Sequence, residues 1–364
     1  MFLPPDSSDP SLARSMAGEI GDLVKSLAGP VKIMEVCGTH TVALRKHGIH
    51  SLLPETVRLI SGPGCPVCVT PAGYIDNALE LARREDVLIA TFGDMLKVPG
   101  SDGRSLASLQ GKGRVRMVYS PSELLALARS RKGPVVFLGI GFETTIPTVA
   151  SVFLESMEMG LANLFLYTAF KTVPLALKTL LQDPSRDIDA FLLPGHVSVV
   201  IGRKAYGFLE EPGGIPGVIA GFEPVDMLYA ILLIVRQLAS GRSAVENAYP
   251  RAVREEGNGK ARAVIHRLLQ PVDDLWRGLG RIPQSGMGLK ESFRRIDAAS
   301  RFGIPEVRDY EPPGCLCGKV IQGKAVPADC ALFGQRCTPD TPVGPCMVSS
   351  EGTCAAHLRY GGTG

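Results

Sequence analysis

Residues 88–100 read LIATFGDMLKVPG and residues 137–147 read FLGIGFETTIP. Each runs from a short apolar stretch through glycine and an aromatic residue to an acid, then to a proline. The apolar stretch has the length of a buried strand, and the polar turn after it leads into helix-like sequence. From residue 30 to about 240 the chain repeats this pattern. The apolar runs are VKIMEV, VRLIS, DVLIATF, VRMVYS, PVVFLGI, NLFLYTAF, DAFLLP and GVIAGF, and GYIDNALELARRE and SPSELLALARS between them space leucine and alanine as helices do. In SPSELLALARS, Ser120 reads as the N-cap and Pro121 as the first helical residue. Strands alternating with helices imply parallel sheets with helices on their faces. In such sheets ligands bind at the carboxyl ends of strands. The likeness of the two stretches points to two related halves, so the expected fold class is α/β, with two similar parallel-sheet lobes facing a cleft.

The expected division is an N-terminal helical extension over 1–29, lobe I over 30–120, lobe II over 121–240, and a helical connector with a cysteine-rich domain over 241–364. In the last segment RAVREEGNGKARAVIHRLL reads as polar helix with a Gly/Asn turn, and LWRGLGRIPQSGMG as a glycine-rich connector. The final stretch, from PPGCLCG onward, is mostly loop by composition and needs a cross-link to hold one shape.

With 364 residues, 45% hydrophobic and 21% charged, the chain has the composition of a soluble globular protein of two or three domains. The net charge is +3 without a basic cluster, so nucleic acid is not an expected partner. MFLPPDSSDPSLARS has neither the basic nor the long apolar region of a signal peptide. MLYAILLIV (227–235), the most apolar helical window, is too short to span a bilayer. A cytoplasmic protein without a membrane partner is the expectation. GIGFET lacks the third glycine of a dinucleotide fingerprint and no GxxxxGK[ST] occurs, which disfavours a nucleotide enzyme.

Nine cysteines in a reducing compartment point to metal binding or redox chemistry rather than structural disulfides. Six lie within 315–354: Cys315, Cys317, Cys330, Cys337, Cys346 and Cys354. They lack the paired CxxC spacing of a structural zinc site. Dispersed thiolates suit a [4Fe-4S] cluster, which takes four of the six; zinc and unligated packing are the other readings. Cys65-Pro66-Val67-Cys68 follows a strand at the front of a helix, where a thiolate is stabilised, and reads as a dithiol/disulfide pair rather than half a metal site. Cys37-Gly38-Thr39-His40 follows another strand and offers a thiolate and an imidazole to iron or zinc, or else ends a strand. His196 in LLPGHVS is a cleft residue or a structural histidine. Glu143 in GFETT and Asp94 in FGD are acid/base groups, hydrogen-bonding supports, or part of helix capping with Thr144 and Thr145.

The segments MEVCGTHT, GPGCPVCVTP, TFGDMLKVPGS, GFETTIPT, LLPGHVSVVIG, IAGFEPVD and CTPDTPVGPCMVSSEGTCAA, in order from about residue 34 to 356, closely resemble the HypD family of hydrogenase maturation proteins. The resemblance implies a scaffold on which the Fe(CN)2CO unit of [NiFe]-hydrogenases is assembled, rather than a conventional turnover enzyme. It implies a HypC-like chaperone as partner, and HypE, working with HypF, as cyanide donor. Carried over by motif, Cys37 holds the iron with the chaperone and His40 assists. Cys65 and Cys68 are the redox pair; Glu143 and His196, read from their own positions after strands, are the further catalytic candidates. Cys317, Cys330, Cys337 and Cys354 are the implied cluster ligands, with Cys346 the rival for the fourth place. The family's cluster and thiol pair are similar to those of ferredoxin–thioredoxin reductase. Two other readings are a stand-alone iron–sulfur-dependent disulfide reductase, which leaves Cys37 and His40 unexplained, and an interaction protein with a structural zinc tail.

Overall fold

The computed structural model describes residues 10–361. All eight apolar runs are strands: β1 (Val31–Glu35), β2 (Val57–Ser61), β3 (Leu88–Thr91), β4 (Val115–Met117), β5 (Val135–Gly141), β6 (Leu164–Lys171), β7 (Ala190–Pro194) and β8 (Gly217–Ala220). Three more follow: β9 (Val245–Asn247), β10 (Leu269–Trp276) and β11 (Gly280–Leu289). They form two sheets, as expected of two α/β lobes. The five-stranded sheet has the order β2-β1-β7-β8-β9 and is parallel throughout. The six-stranded sheet has the order β10-β11-β6-β5-β3-β4, parallel from β6 to β4, with β11 antiparallel to β6 and to β10.

The lobes are not contiguous in sequence, which corrects the division at residue 120. β1 and β2 belong to one sheet, β3 to β6 to the other; β7 to β9 return to the first, and the β10–β11 hairpin crosses again. The two similar stretches that suggested two halves lie side by side in one sheet, with Leu88 opposite Val135. Apolar periodicity marks a strand but carries no information about its partner. The glycine-rich connector is also corrected: LWRGLGRIPQSGMG is the end of β10, a tight turn and most of β11. Its turn glycine, Gly278, has φ 76°, and a Cβ there would meet the Gly318 Cα at 2.6 Å. Both observations require glycine.

Every residue of β5 is buried, as the central strand of a covered sheet must be. The apolar window 227–235 lies in the helix Pro224–Ala239, and the helix Pro10–Val24 packs Met16, Ile20 and Val24 into the same core. Among the described residues no helix is long and apolar enough to cross a membrane. The helix expected from Ser120-Pro121 is Glu123–Ser130, two residues shorter at its start. The Glu123 carboxylate accepts the Tyr119 and Ser120 amides at 2.7 and 2.9 Å, closing a turn ahead of the helix proper. The cysteine-rich tail is loops joined by short helices, Cys317–Ile321 and Thr353–Tyr360.

Candidate functional site

Both sheets reverse strand order at one place, between β1 and β7 and between β3 and β5, and the unusual residues follow those strands. Cys37 ends the segment after β1 and caps the helix Gly38–Lys46. The loop after β2 lies against it so closely that a Cβ on Gly64 would sit 2.5 Å from the Cys37 amide nitrogen. The Gly38 amide donates to the Gly64 carbonyl at 3.0 Å. CGTH and GPGCPVC therefore meet backbone to backbone because β1 and β2 are parallel neighbours. Cys65 and Cys68 form a disulfide, both buried, with their Cα atoms 5.3 Å apart. They occupy a turn of their own rather than the helix front, since the helix after them starts at Ala72. The Cys68 amide donates to Cys65 Sγ at 3.2 Å, which takes over part of the role the helix terminus was expected to play.

Burial pushes the Cys37 thiol up to about 11, with the Glu351 carboxylate adding to the rise and the Thr39 and His40 amides opposing it. Thr39 Oγ1 donates to Glu351 Oε1 at 2.7 Å, so the tail reaches back over this loop. His40 is fully buried, and burial holds its pKa down to about 4. Its Nε2 lies 2.9 Å from the Gly221 carbonyl, which can only accept, so Nε2 carries the proton. Nδ1 is left as a buried lone pair without a partner. A neutral imidazole with one nitrogen anchored and the other free is a ligand-ready arrangement. The Phe222 ring separates His40 (centroids 4.6 Å) from His196, which stacks on it at 3.8 Å. His196 is exposed on its other side.

The remaining acids go elsewhere. Glu143, after β5, is buried, and burial pushes its pKa up to about 7. Its Oε1 accepts the Val173 amide at 3.0 Å, Oε2 has no partner, and the residue lines a cavity of about 500 Å³ whose other walls include Lys204, Arg262 and His266. Burial raises the Tyr206 phenol above its ordinary value, with Glu143 and Cys37 adding to the rise, and its hydroxyl lies 3.2 Å from Ser198 Oγ. A second cavity of about 280 Å³ lies beside the disulfide and is lined by Pro66, Val67, Asp94, Thr145 and Glu351. Asp94 Oδ2 accepts Ser349 Oγ and the Ser350 amide and hydroxyl at 3.0–3.1 Å, so it ties down the tail. These candidates do not share one cavity: Glu143 lines the first, and Pro66, Val67 and Asp94 line the second.

In the tail, Cys315, Cys317, Cys330, Cys337 and Cys354 line one small cavity with Leu332, Phe333 and Met347. Cys346 lies behind that wall, its thiol hydrogen-bonded to Cys317 and Cys354. Hydrogen bonds from Cys317 and Cys346 hold Cys354 down to about 5, whereas Cys315, hydrogen-bonded to Cys317, is raised. Cys337 Sγ accepts the Val343 amide at 3.3 Å. Among the described residues no three His, Cys, Asp or Glu side chains form a cage for a single ion; the thiols ring a void instead. Sequence reasoning counted Cys315 among the six candidate thiols without giving it a place, and missed Phe222 between the histidines, Glu351 over Cys37, and Arg277 beside the disulfide segment. Only Phe222 and Glu351 carried a signal, lying in the motifs GFEP and SSEGTC.

These features define a class: two-lobed α/β proteins that gather a closed Cys-x-x-Cys pair, a capping cysteine and a thiol-walled pocket at their strand ends. The sequence model of HypD, described as the hydrogenase formation hypA family, matches residues 11–361. The chain is 46% identical over 338 residues to the hydrogenase maturation factor HypD of Azotobacter vinelandii, covering 91% of this chain and 89% of that one. Identity to the Rhodobacter capsulatus factor is 43% over 364 residues (97% of each), and to that of Cupriavidus necator 43% over 361 residues (94% and 95%). The chain belongs to the HypD family, and its role is in hydrogenase maturation.

Proposed function

We propose that this protein holds an iron ion at Cys37 while the cyanide and carbon monoxide ligands of a [NiFe]-hydrogenase centre are attached. The observation that carries this is the backbone contact between the CGTH and CPVC loops, which sets an iron-type ligand pair beside a redox-type pair. The Cys37 thiol, held protonated by burial, releases its proton to solvent as its sulfur binds the cation, and the amides of Thr39 and His40 stabilise the thiolate formed. Nδ1 of His40 is the second donor on the same helical turn. A thiolate donates charge to low-spin iron(II), which supports back-bonding to cyanide and carbon monoxide.

Opening the Cys65–Cys68 disulfide takes up two electrons and two protons, and closing it returns them, the exchange that a reductive ligand attachment needs. The thiol-walled pocket fits a [4Fe-4S] cluster: its donors are soft and ring a void. Cys317, Cys330, Cys337 and Cys354 would hold it, with Cys315 a fifth wall thiol and Cys346 set back from the cavity. When bound, such a cluster supplies electrons one at a time. The iron reaches its ligands in company with a HypC-like chaperone and with HypE and HypF as the cyanide source, in the cytoplasm; the family resemblance supports these partners.

Infrared spectroscopy of the protein purified without oxygen after co-production with those partners tests the reading. Bands of iron-bound cyanide and carbon monoxide should be present, and absent in Cys37→Ala. No bands despite bound partners, iron and sulfide would favour the stand-alone disulfide reductase. Cys65→Ser should abolish maturation with the cluster absorption intact; loss of both would assign the pair a folding role.

A further inference from the structure

The cavity of about 500 Å³ is walled by both lobes. Glu143 and Ile146 follow β5, Leu175 follows β6, and Val200 and Lys204 follow β7. The helix Gly259–Leu268 and β11 close it with Arg262, Ile265, Gln284 and Met287. Pockets of this size at the join of two domains are where proteins take small molecules. No cysteine lines it, so the iron and disulfide chemistry above leaves it unassigned. Its polarity is graded. Ile146, Val200, Ile265 and Met287 are buried, and so is Glu143, at 4% exposed the only ionisable side chain at that depth. Lys204, Glu256, Arg262, His266 and Gln284 are exposed and ring the mouth.

At the floor, Glu143 Oε1 accepts the Val173 amide at 3.0 Å, and Oε2 is buried with no partner. A buried polar atom in that state is rare, and a bound ligand would satisfy it. The lining brings no cation to that depth, and burial keeps the carboxyl protonated below about pH 7. With Oε1 occupied as an acceptor, the free position is an O–H donor, which suits a carbonyl. At the mouth, Lys204 and Arg262 are cations, Glu256 is the only carboxylate, and His266 is never an anion. Lys204 pairs with Glu256. Arg262 gives Nη1 to the Glu256 carbonyl at 2.8 Å, which leaves its other guanidinium donors for an anion. Gln284, on the wall, has φ 56° and is the one non-glycine residue with positive φ among the described residues. Asp273 Oδ1 accepts both its backbone amide and its side chain, at 3.0 and 3.3 Å, which holds it there. Backbone strain of that kind collects at ligand sites.

We propose that this cavity binds a small organic monoanion, with a carbonyl at the floor on Glu143, an apolar body between Ile146, Val200, Ile265 and Met287, and a carboxylate at the mouth on Arg262 and Lys204. A cationic amine, the ordinary partner of a buried carboxylate, would have to pass both mouth cations. A dianion would bring its second charge among apolar walls, where no group compensates it. The occupant touches the helix after β7 and the β11 strand together, so it joins the two lobes on the side away from the thiol-walled pocket's lining.

The test uses the full chain and the rigid probe 4-carbamoylbenzoate, which carries a carboxylate and a primary amide at opposite ends of an apolar ring. Calorimetric titration at pH 6 should show one site in the wild type. Arg262→Ala should weaken binding about tenfold, the worth of one charge-assisted hydrogen bond. Glu143→Leu should abolish it, and Glu143→Gln, whose amide supplies an N–H where the acid supplied its O–H, should bind nearly as the wild type does. Benzamide, which lacks the anion, should bind the wild type about tenfold more weakly and be indifferent to Arg262→Ala. No binding of 4-carbamoylbenzoate to the wild type would overturn the proposal, and so would equal affinity in the wild type and Arg262→Ala. Arg262 is exposed, so its variant keeps the test decisive where Glu143→Leu fails to fold. Tighter binding of benzylamine than of 4-carbamoylbenzoate would also overturn it, by assigning a cation to Glu143.

Discussion

Glu143 shows how one buried group links stability to function. Its carboxyl titrates near 7 in the folded chain, against the ordinary 4.5, because burial penalises the charged form. The folded state therefore holds a proton that the unfolded chain has released between those values, and stability falls as pH rises through that window. Above pH 7 the loss is roughly 3 kcal/mol, from about 1.4 kcal/mol per pH unit. Glu143→Gln, which removes the ionisation and keeps an acceptor for Val173, should raise the urea midpoint at pH 8 and leave it nearly unchanged at pH 4. An equal shift at both pH values would show that the carboxylate is compensated in a way its partners do not explain. His40 is the other residue whose environment defines it. With Nε2 spent on Gly221, only Nδ1 remains for a metal, so a His40→Gln variant should weaken iron retention while Cys37 still binds, as iron content after gel filtration would show.

At the scale of elements, the helix Pro10–Val24 is held by a few apolar side chains on Pro224–Ala239. Ile20 is fully buried there, and Ile20→Ala should lower stability by about 2–5 kcal/mol, measurable as a fall in denaturation midpoint with maturation unchanged at permissive temperature. The strands of the lobes were legible because VKIMEV or PVVFLGI are both apolar and β-branched, and their ends were legible because Gly, Pro and Cys interrupt them. The hairpin was not. LQPVDDLW alternates only loosely and Pro271 and Pro283 interrupt its two strands, so the glycines of its turn read as a connector. Cys37, Cys65 and Cys68 stood out by residue type and by their position after strands. Arg277 did not, since an arginine in a glycine-rich stretch looks like a solvated charge until its burial is seen. The closeness of Cys37 to Cys65 was also hidden, because it depends on the pairing of β1 with β2.

The whole molecule is interleaved. The chain enters the five-stranded sheet, leaves for the six-stranded one, returns and leaves again, so neither lobe closes without sequence from both sides of the other. A fragment ending at residue 120 contains one strand pair of each sheet, β1–β2 and β3–β4, and lacks β7 and β5, the inner neighbours of β1 and β3; it should give a random-coil circular dichroism spectrum. Native-like spectra from that fragment would mean that local pairing outweighs the central contacts.

Synthesis imposes an order on this arrangement. β1, which carries Cys37, has β2 beside it early, but its other neighbour β7 begins at Ala190, 129 positions after Ser61. At ordinary ribosomal rates that delay is on the order of ten seconds. The β10–β11 turn that clamps Thr70 and the tail that covers Cys37 emerge later still. Cys37, Cys65 and Cys68 therefore leave the ribosome as an uncovered trio, and any metal or oxidant that meets the nascent chain encounters them before the six tail thiols exist to compete.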